Sequence, residues 1–189
     1  MVNTRFRPLA LLVVALVASL ALLFVVAPQT AESSTANRGG HGQSQSQSQG
    51  PKIDSQDVLD TLYQWAEAYD ENDPDLMRDA FTDDATFVYA SPAFEEPLVF
   101  EGIEEVMGLF IDALESQDDQ RRHVMSNSRI ERIDRRTVQV TSYLTLLVVA
   151  DPADGPIVQS TGVYRDTMVL ERDGKWRIQV RDLRLDTAA

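Results

Sequence analysis

The stretch TVQVTSYLTLLVVA, residues 137–150, decides the fold because it belongs to a run of long strand segments. β-Branched and apolar residues dominate it, which is typical of β-strands. The similar segments around it are RRHVMSNSRIERI (121–133), VQSTGVYRDTMVLE (158–171) and KWRIQVRDLRL (175–185). The last two are joined by a turn that contains Asp-Gly (173–174), a pair that favours tight hairpins. The C-terminal half therefore predicts long antiparallel strands.

Three helical patterns precede these strands. Asp54 can cap a first helix, in which apolar residues recur at helical spacing: Val58, Leu62, Trp65, Ala66 and Tyr69. An Asp-Pro pair at 73–74 predicts a short second helix, because aspartate favours the cap position and proline the first turn. Residues 102–117 predict a third helix, and residues 85–90 and 97–100 predict two short strands. This order predicts an α+β domain with a strongly curved antiparallel sheet packed against three helices.

The N-terminal segment, residues 1–30, has the features of an export signal. A basic start is followed by residues 9–27, an apolar run in which Ser19 is the single polar residue. The run is longer than the roughly 7 to 15 residues of a cleavable signal peptide and approaches the roughly 20 of a membrane-spanning helix. As a signal peptide or a signal anchor it inserts in the membrane, at least transiently. The domain is then exported across the cytoplasmic membrane and is either membrane-anchored or periplasmic or extracellular. Residues 31–52, rich in Gln, Ser and Gly, predict a flexible linker before a folded domain at 53–189.

The composition limits the chemistry that is open to this domain. The chain has no cysteine and two histidines, His41 in the linker and His123 in the domain. Zinc and iron–sulfur sites built on thiolates are therefore excluded. A calcium or magnesium site made of carboxylates alone stays open, but the sequence has no EF-hand loop pattern and we expect no metal site. The net charge of −13 repels phosphate backbones, so we expect no nucleic-acid partner. The sequence also contains no phosphate-binding glycine loop and no nucleophile-elbow motif.

Two polar residues lie where the pattern places core side chains. Asp70 continues the helical stripe of positions 58, 62 and 66, so its carboxylate should point toward the core. The alternative is that the helix ends there and Asp70 turns to solvent or caps the next turn. In the strand at 121–133, alternation places His123, Met125 and Asn127 on one face. That face indicates a cavity with apolar walls and a few polar groups, and the alternative is a structural histidine at a sheet end.

The motifs and their order resemble those of a known family. YDENDPDLMRDAFTDDATF (69–87), RRHVMSN (121–127) and DGKWRI (173–178) together resemble the SnoaL-like branch of the NTF2-like superfamily. Within it, WAEAYD (65–70) and the later histidine are similar to scytalone dehydratase and its relatives. The resemblance implies a cone-shaped fold, in which a bent sheet and three helices enclose a deep apolar pocket.

The resemblance also implies a site and an activity. By position, Asp70 and His123 match a carboxylate and a histidine that remove a proton from a substrate carbon in the dehydratase-like members. Tyr69 and Tyr89 match tyrosines that line the pocket of the scytalone enzyme. Leu144 stands where that enzyme has a second histidine, so scytalone itself is a poor substrate for this chain. The implied activity is that of a dehydratase or isomerase that needs no cofactor.

A second function stays open beside the enzymatic one. Many domains of this superfamily bind ligands or protein partners without catalysis, so a non-catalytic binding or interaction module is the alternative. Leu144, Phe110 and Met125 indicate that a small-molecule ligand is apolar in either case. Because family members are commonly dimers or trimers, the resemblance also implies a homo-oligomer.

Overall fold

The computed structural model of the chain describes residues 53–188. The predicted signal segment (1–30) and linker (31–52) lie outside the described residues. The helices are α1 (Ser55–Asp70), α2 (Pro74–Asp79) and α3 (Ile103–Glu115). The strands are β1 (Phe81–Ala90), β2 (Leu98–Glu101), β3 (Gln120–Arg132), β4 (Thr137–Val149), β5 (Ile157–Leu170) and β6 (Trp176–Leu185). The predicted order of helices and strands is confirmed.

Capping residues and apolar stripes explain the helices. The Asp54 carboxylate accepts a hydrogen bond from the backbone of Gln56 at 2.9 Å, and Asp73 caps α2 in the same way. Both caps satisfy backbone N–H groups that have no partner within the helix. The buried face of α1 comprises Val58, Leu62, Trp65, Ala66 and Ala68, and α3 buries Ile103, Val106, Met107 and Phe110. Each helix therefore packs one apolar face on the sheet.

The six strands form one sheet in the order β2-β1-β6-β5-β4-β3. Four of the neighbouring pairs are antiparallel, as predicted, whereas β1 and β6 run parallel. This parallel pair joins the two ends of the domain in sequence, so no local turn could indicate it. Within residues 53–188, no helix has the length and apolar content that crossing a membrane requires.

Bulges interrupt the register of the long strands. In β3, Ser126 pairs with Tyr143 but Arg129 pairs with Thr141, so β3 holds one extra residue. Asn127 lies in this bulge with a φ of 52°, in the left-handed region that asparagine tolerates better than most residues. The bulge turns Asn127 outward, where it is exposed. The prediction that Asn127 shares a face with His123 is therefore wrong.

The core contains a fully buried ion pair. Asp166 on β5 and Arg181 on β6 are opposite each other in the sheet, and both side chains are 0% exposed. The guanidinium donates two hydrogen bonds to the carboxylate, from Nε at 2.8 Å and from Nη2 at 3.0 Å. Its carbon lies 4.0 Å from the ring centre of Trp65 and 4.6 Å from that of Tyr164. Arg181 thus joins the sheet to α1 through a stacked aromatic ring.

Candidate functional site

A cavity of about 180 Å³ lies between the concave face of the sheet and helices α1 and α3. All six strands contribute to its wall. A cavity of about 150 Å³ can hold benzene, so this one has room for a small ring system. Its aromatic side chains include Trp65, Tyr69, Phe87, Tyr89, Phe100 and Phe110. The wall is therefore mainly apolar, as the sequence predicts.

Asp70 and His123 are joined by two hydrogen bonds at this cavity. One oxygen of the carboxylate lies 2.6 Å from Nδ1 of the His123 ring. The other oxygen accepts a hydrogen bond from the His123 backbone N–H at 2.8 Å. Because a carboxylate can only accept, this geometry assigns the Nδ1 proton to the bond with Asp70. In the neutral ring, Nε2 then carries the lone pair.

The surroundings of the pair hold the ring in place. The Asp70 side chain is 8% exposed and that of His123 is 7% exposed. The ring centre of His123 lies 4.8 Å from that of Tyr69 and 5.4 Å from that of Trp65, both in edge-on arrangements. His123 lines the cavity, whereas Asp70 lies behind it as the last residue of α1. A carboxylate in this position orients the imidazole without entering the cavity.

Two tyrosines bring hydroxyl groups to the wall. The Tyr69 oxygen accepts a hydrogen bond from Nε2 of Gln117 at 3.0 Å, so its own proton is free for a ligand. Burial raises the pKa of Tyr69, and burial also raises the pKa of Tyr89. A phenol with a raised pKa stays protonated throughout the neutral range. Both groups can therefore donate hydrogen bonds to a ligand oxygen.

Arg121 also lines the cavity, where its guanidinium is paired with a carboxylate. It lies two residues before His123, and its guanidinium forms two hydrogen bonds with Asp119, at 2.7 and 3.0 Å. The side chain of Arg121 is 16% exposed and that of Asp119 is 15% exposed. The neighbouring carboxylate neutralises the guanidinium, so the pair shapes the wall without giving it a net charge.

The other predicted site residues divide into two groups. Phe110 and Leu144 line the cavity, together with Tyr69 and Tyr89. Met125 packs against the core but is not part of the cavity wall, and Asn127 is exposed. The wall residues that β3 contributes are therefore Arg121 and His123. No group of three or more His, Cys, Asp or Glu residues in 53–188 is arranged to hold a metal ion.

The sequence did not predict two residues of the cavity wall, Gln159 and Ser160 on β5. Adjacent residues of a regular strand point to opposite faces, so no alternation pattern predicts both in one wall. Arg121 could have been found, because it shares the alternation of His123. Trp65 could have been found too, since it belongs to the apolar stripe of α1.

Comparison with known proteins gives the fold a family context. The family described as SnoaL-like domain matches residues 53–182. ActVI-ORFA from Streptomyces coelicolor is 21% identical with a TM-score of 0.61, over 69% of this chain and 96% of that chain. A candidate scytalone dehydratase from Novosphingobium aromaticivorans is 20% identical with a TM-score of 0.57, over 69% and 82%. The predicted cone-shaped, NTF2-like fold is confirmed by these similarities.

A third solved structure is similar and holds a ligand. It comes from Catenulispora acidiphila, in complex with S-DNPA, and is 25% identical with a TM-score of 0.59. The match covers 69% of this chain and 92% of that chain. No curated protein matches the chain significantly in sequence.

Proposed function

The chain belongs to the SnoaL-like domain family, and from this premise we propose that it is a cofactor-independent lyase or isomerase acting on an apolar small molecule. The observation that carries the proposal is the hydrogen bond of 2.6 Å between Asp70 and Nδ1 of His123, at the wall of an apolar cavity. Perturbed or paired polar groups in such a cavity are the usual sign of an active site.

His123 is the general base in this proposal. With Nδ1 bonded to Asp70, its Nε2 lone pair removes a proton from a carbon next to a ligand carbonyl. Asp70 is a positioning residue, because it fixes the tautomer and stabilises the imidazolium that forms. In an elimination, the imidazolium returns the proton to the departing hydroxyl, which leaves as water while a carbon–carbon double bond forms.

The tyrosines stabilise the negative charge that develops on the ligand. Tyr69 is next to His123 and has a free proton because its oxygen already accepts from Gln117. Tyr89 lies on β1, on another side of the same cavity. A hydroxyl that donates to the carbonyl oxygen stabilises the enolate, and the apolar wall around it strengthens this hydrogen bond.

A proton-exchange experiment tests this function without knowledge of the natural substrate. The full-length chain is incubated in D2O with 2-tetralone, an apolar bicyclic ketone, and the exchange of its α-protons is followed by NMR. We expect the wild type to accelerate the exchange and His123→Ala to reduce the enzymatic rate about 10²- to 10⁴-fold, the usual contribution of a general base. Asp70→Asn should also slow the exchange, because the ring loses its orientation.

Matched variants separate chemistry from damage to the fold. Glu71→Gln changes the next residue, whose side chain is 59% exposed, and should leave the exchange rate unchanged. An equal rate for wild type and His123→Ala would contradict the proposal. Binding of 2-tetralone by calorimetry, without any exchange, would favour the alternative function, a non-catalytic ligand-binding or interaction module of the same fold.

We also propose that the domain is exported and forms a dimer or trimer. Export rests on the apolar run at 9–27 with its two preceding arginines. Alkaline phosphatase fused after residue 189 should be active in cells if the domain lies outside the cytoplasm, and inactive if it stays inside. Light scattering of the purified chain gives the number of subunits, and a monomer would contradict the second part.

A further inference from the structure

The start of strand β5 contains a bulge at the cavity wall. Leu146 on β4 pairs with Ser160, but Leu147 pairs with Val158, so Gln159 has no partner on β4. A bulge of this type resets the alternation of side chains and can direct an additional one into a site. Gln159 and Ser160, although adjacent in sequence, both line the cavity as a result.

The Gln159 side chain at this bulge has an oxygen that no other described residue satisfies. The Gln159 Oε1 atom is buried and has no hydrogen-bond partner within residues 53–188. Ser160 beside it is 5% exposed, and a serine hydroxyl can both donate and accept a hydrogen bond. Buried polar groups are nearly always bonded, so the free oxygen of Gln159 calls for a partner other than the described residues.

These two residues lie apart from the proposed catalytic pair. His123 on β3 is directly opposite Leu146 on β4, and Leu146 is directly opposite Ser160 on β5. Neighbouring strands are about 4.8 Å apart, so the backbones of His123 and Ser160 are about 10 Å apart. The apolar side chain of Leu146 separates the two polar regions.

We infer that Gln159 and Ser160 form a second polar contact of the ligand site, which binds a hydroxyl or N–H group on the part of the ligand away from His123. The inference rests on the proposed function, since it assumes that the cavity binds an apolar molecule. A free amide oxygen accepts hydrogen bonds, so the ligand group must be a donor. The ligand class is therefore an apolar ring system that carries its reacting carbon at one end and a hydrogen-bond donor at the other.

The contact also contributes specificity. A ligand without the donor leaves the Gln159 oxygen buried and unpaired, which is unfavourable, whereas a ligand with the donor satisfies it. One neutral hydrogen bond of this kind tightens binding by about two- to tenfold.

Two naphthols test the inference directly. Calorimetry with the full-length chain gives the Kd of 2-naphthol, which has one hydroxyl, and of 2,6-dihydroxynaphthalene, which has one at each end. In the wild type we expect the second hydroxyl to tighten binding by about two- to tenfold. In Gln159→Leu this gain should disappear, because the apolar side chain cannot accept, while 2-naphthol still binds. Ser160→Ala should reduce the gain in the same direction.

Gln139→Leu is the matched control, since Gln139 is an exposed glutamine on β4 and should leave the gain unchanged. Equal affinities of the wild type for the two naphthols, or a gain that survives in Gln159→Leu, would overturn the inference while leaving the proposed function intact. Failure of both naphthols to bind would overturn both. If Gln159→Leu does not fold, a crystal structure of the wild type with 2,6-dihydroxynaphthalene decides, because a hydroxyl must lie within hydrogen-bond distance of Gln159 or Ser160.

Discussion

Replacing Asp166 by alanine should destabilise the domain by about 4 kcal/mol. The variant removes one partner of a fully buried pair and leaves the Arg181 guanidinium uncompensated in the core. Two hydrogen bonds are lost, at 2.8 and 3.0 Å, and a hydrogen bond to a charged group contributes about 1.5 to 3 kcal/mol. Breaking a buried ion pair from one side costs about 3 to 5 kcal/mol, in agreement with this sum.

Urea unfolding of the full-length chain measures this effect. With a slope near 2 kcal/mol per molar of urea, the midpoint should fall by about 2 M. Replacing both partners, as Asp166→Leu with Arg181→Met, should restore most of the stability, because no charge is then left buried. Asp182→Ala is the matched control. It breaks an aspartate–arginine pair whose side chains are 22% and 52% exposed, so the expected loss is below about 1 kcal/mol.

Two results would refute this account of the core. One is a loss below about 1 kcal/mol for Asp166→Ala, which would mean that water or another group compensates Arg181. The other is a double variant as unstable as the single one, which would mean that the side chains matter for shape and not for charge. Arg181 stacks on Trp65, which in turn contacts the His123 ring, so a destabilised core should also loosen the site.

Three further predictions concern individual residues. Asn127→Val should lower the free energy of unfolding, measured in urea, by about 1 to 2 kcal/mol, because a β-branched residue resists the positive φ. Asn127→Gly should leave the stability almost unchanged. Equal stability of the two variants would contradict this prediction. Asp54→Ala should lower the thermal midpoint by about 4 °C through the loss of about 1 kcal/mol of helix capping, and an unchanged midpoint would show that the cap contributes nothing. Hydrogen bonds from Lys175 and then from Arg177 lower the pKa of Asp79, so its contribution to stability is present above about pH 4 and is lost as the pH falls further. Asp79→Asn should therefore be less stable than the wild type at pH 7, with a difference that shrinks in urea titrations toward pH 3; a difference that is independent of pH would exclude the ionic explanation.

The pairing of Asp70 with His123 was open to prediction because both local patterns continue without interruption. Helix α1 extends to Asp70, so the stripe of positions 58, 62, 66 and 70 keeps its direction to the end. In β3 the alternation is regular from Arg121 to Met125, which places His123 on the inner face. Short-range periodicity was sufficient here, because no bulge or helix end separates Asp70 or His123 from the residues that set the pattern.

Three residues that sequence reasoning misplaced or missed, Asn127, Gln159 and Arg181, lie at or just beyond bulges. Asn127 and Gln159 are themselves in bulges of β3 and β5. In β6, Ile178 and Val180 pair with adjacent residues of β5, which places a bulge at Gln179 and turns Arg181 inward. A bulge shifts the pairing of two strands by one residue. Its position depends on how the neighbouring strands fit together, so the sequence of one strand does not show it. Asp166 did carry a signal, because it shares the alternation of the buried Tyr164 and Met168.

The proposed chemistry requires Asp70 to hold the His123 ring with Nδ1 protonated and Nε2 free at the cavity. Long-range ¹⁵N NMR of the imidazole rings measures this tautomer directly, and His41→Gln removes the signals of the second histidine. We expect neutral His123 to carry its proton on Nδ1, and we expect this preference to be lost in Asp70→Ala. A neutral ring protonated on Nε2, or a tautomer ratio that is the same with and without Asp70, would contradict it.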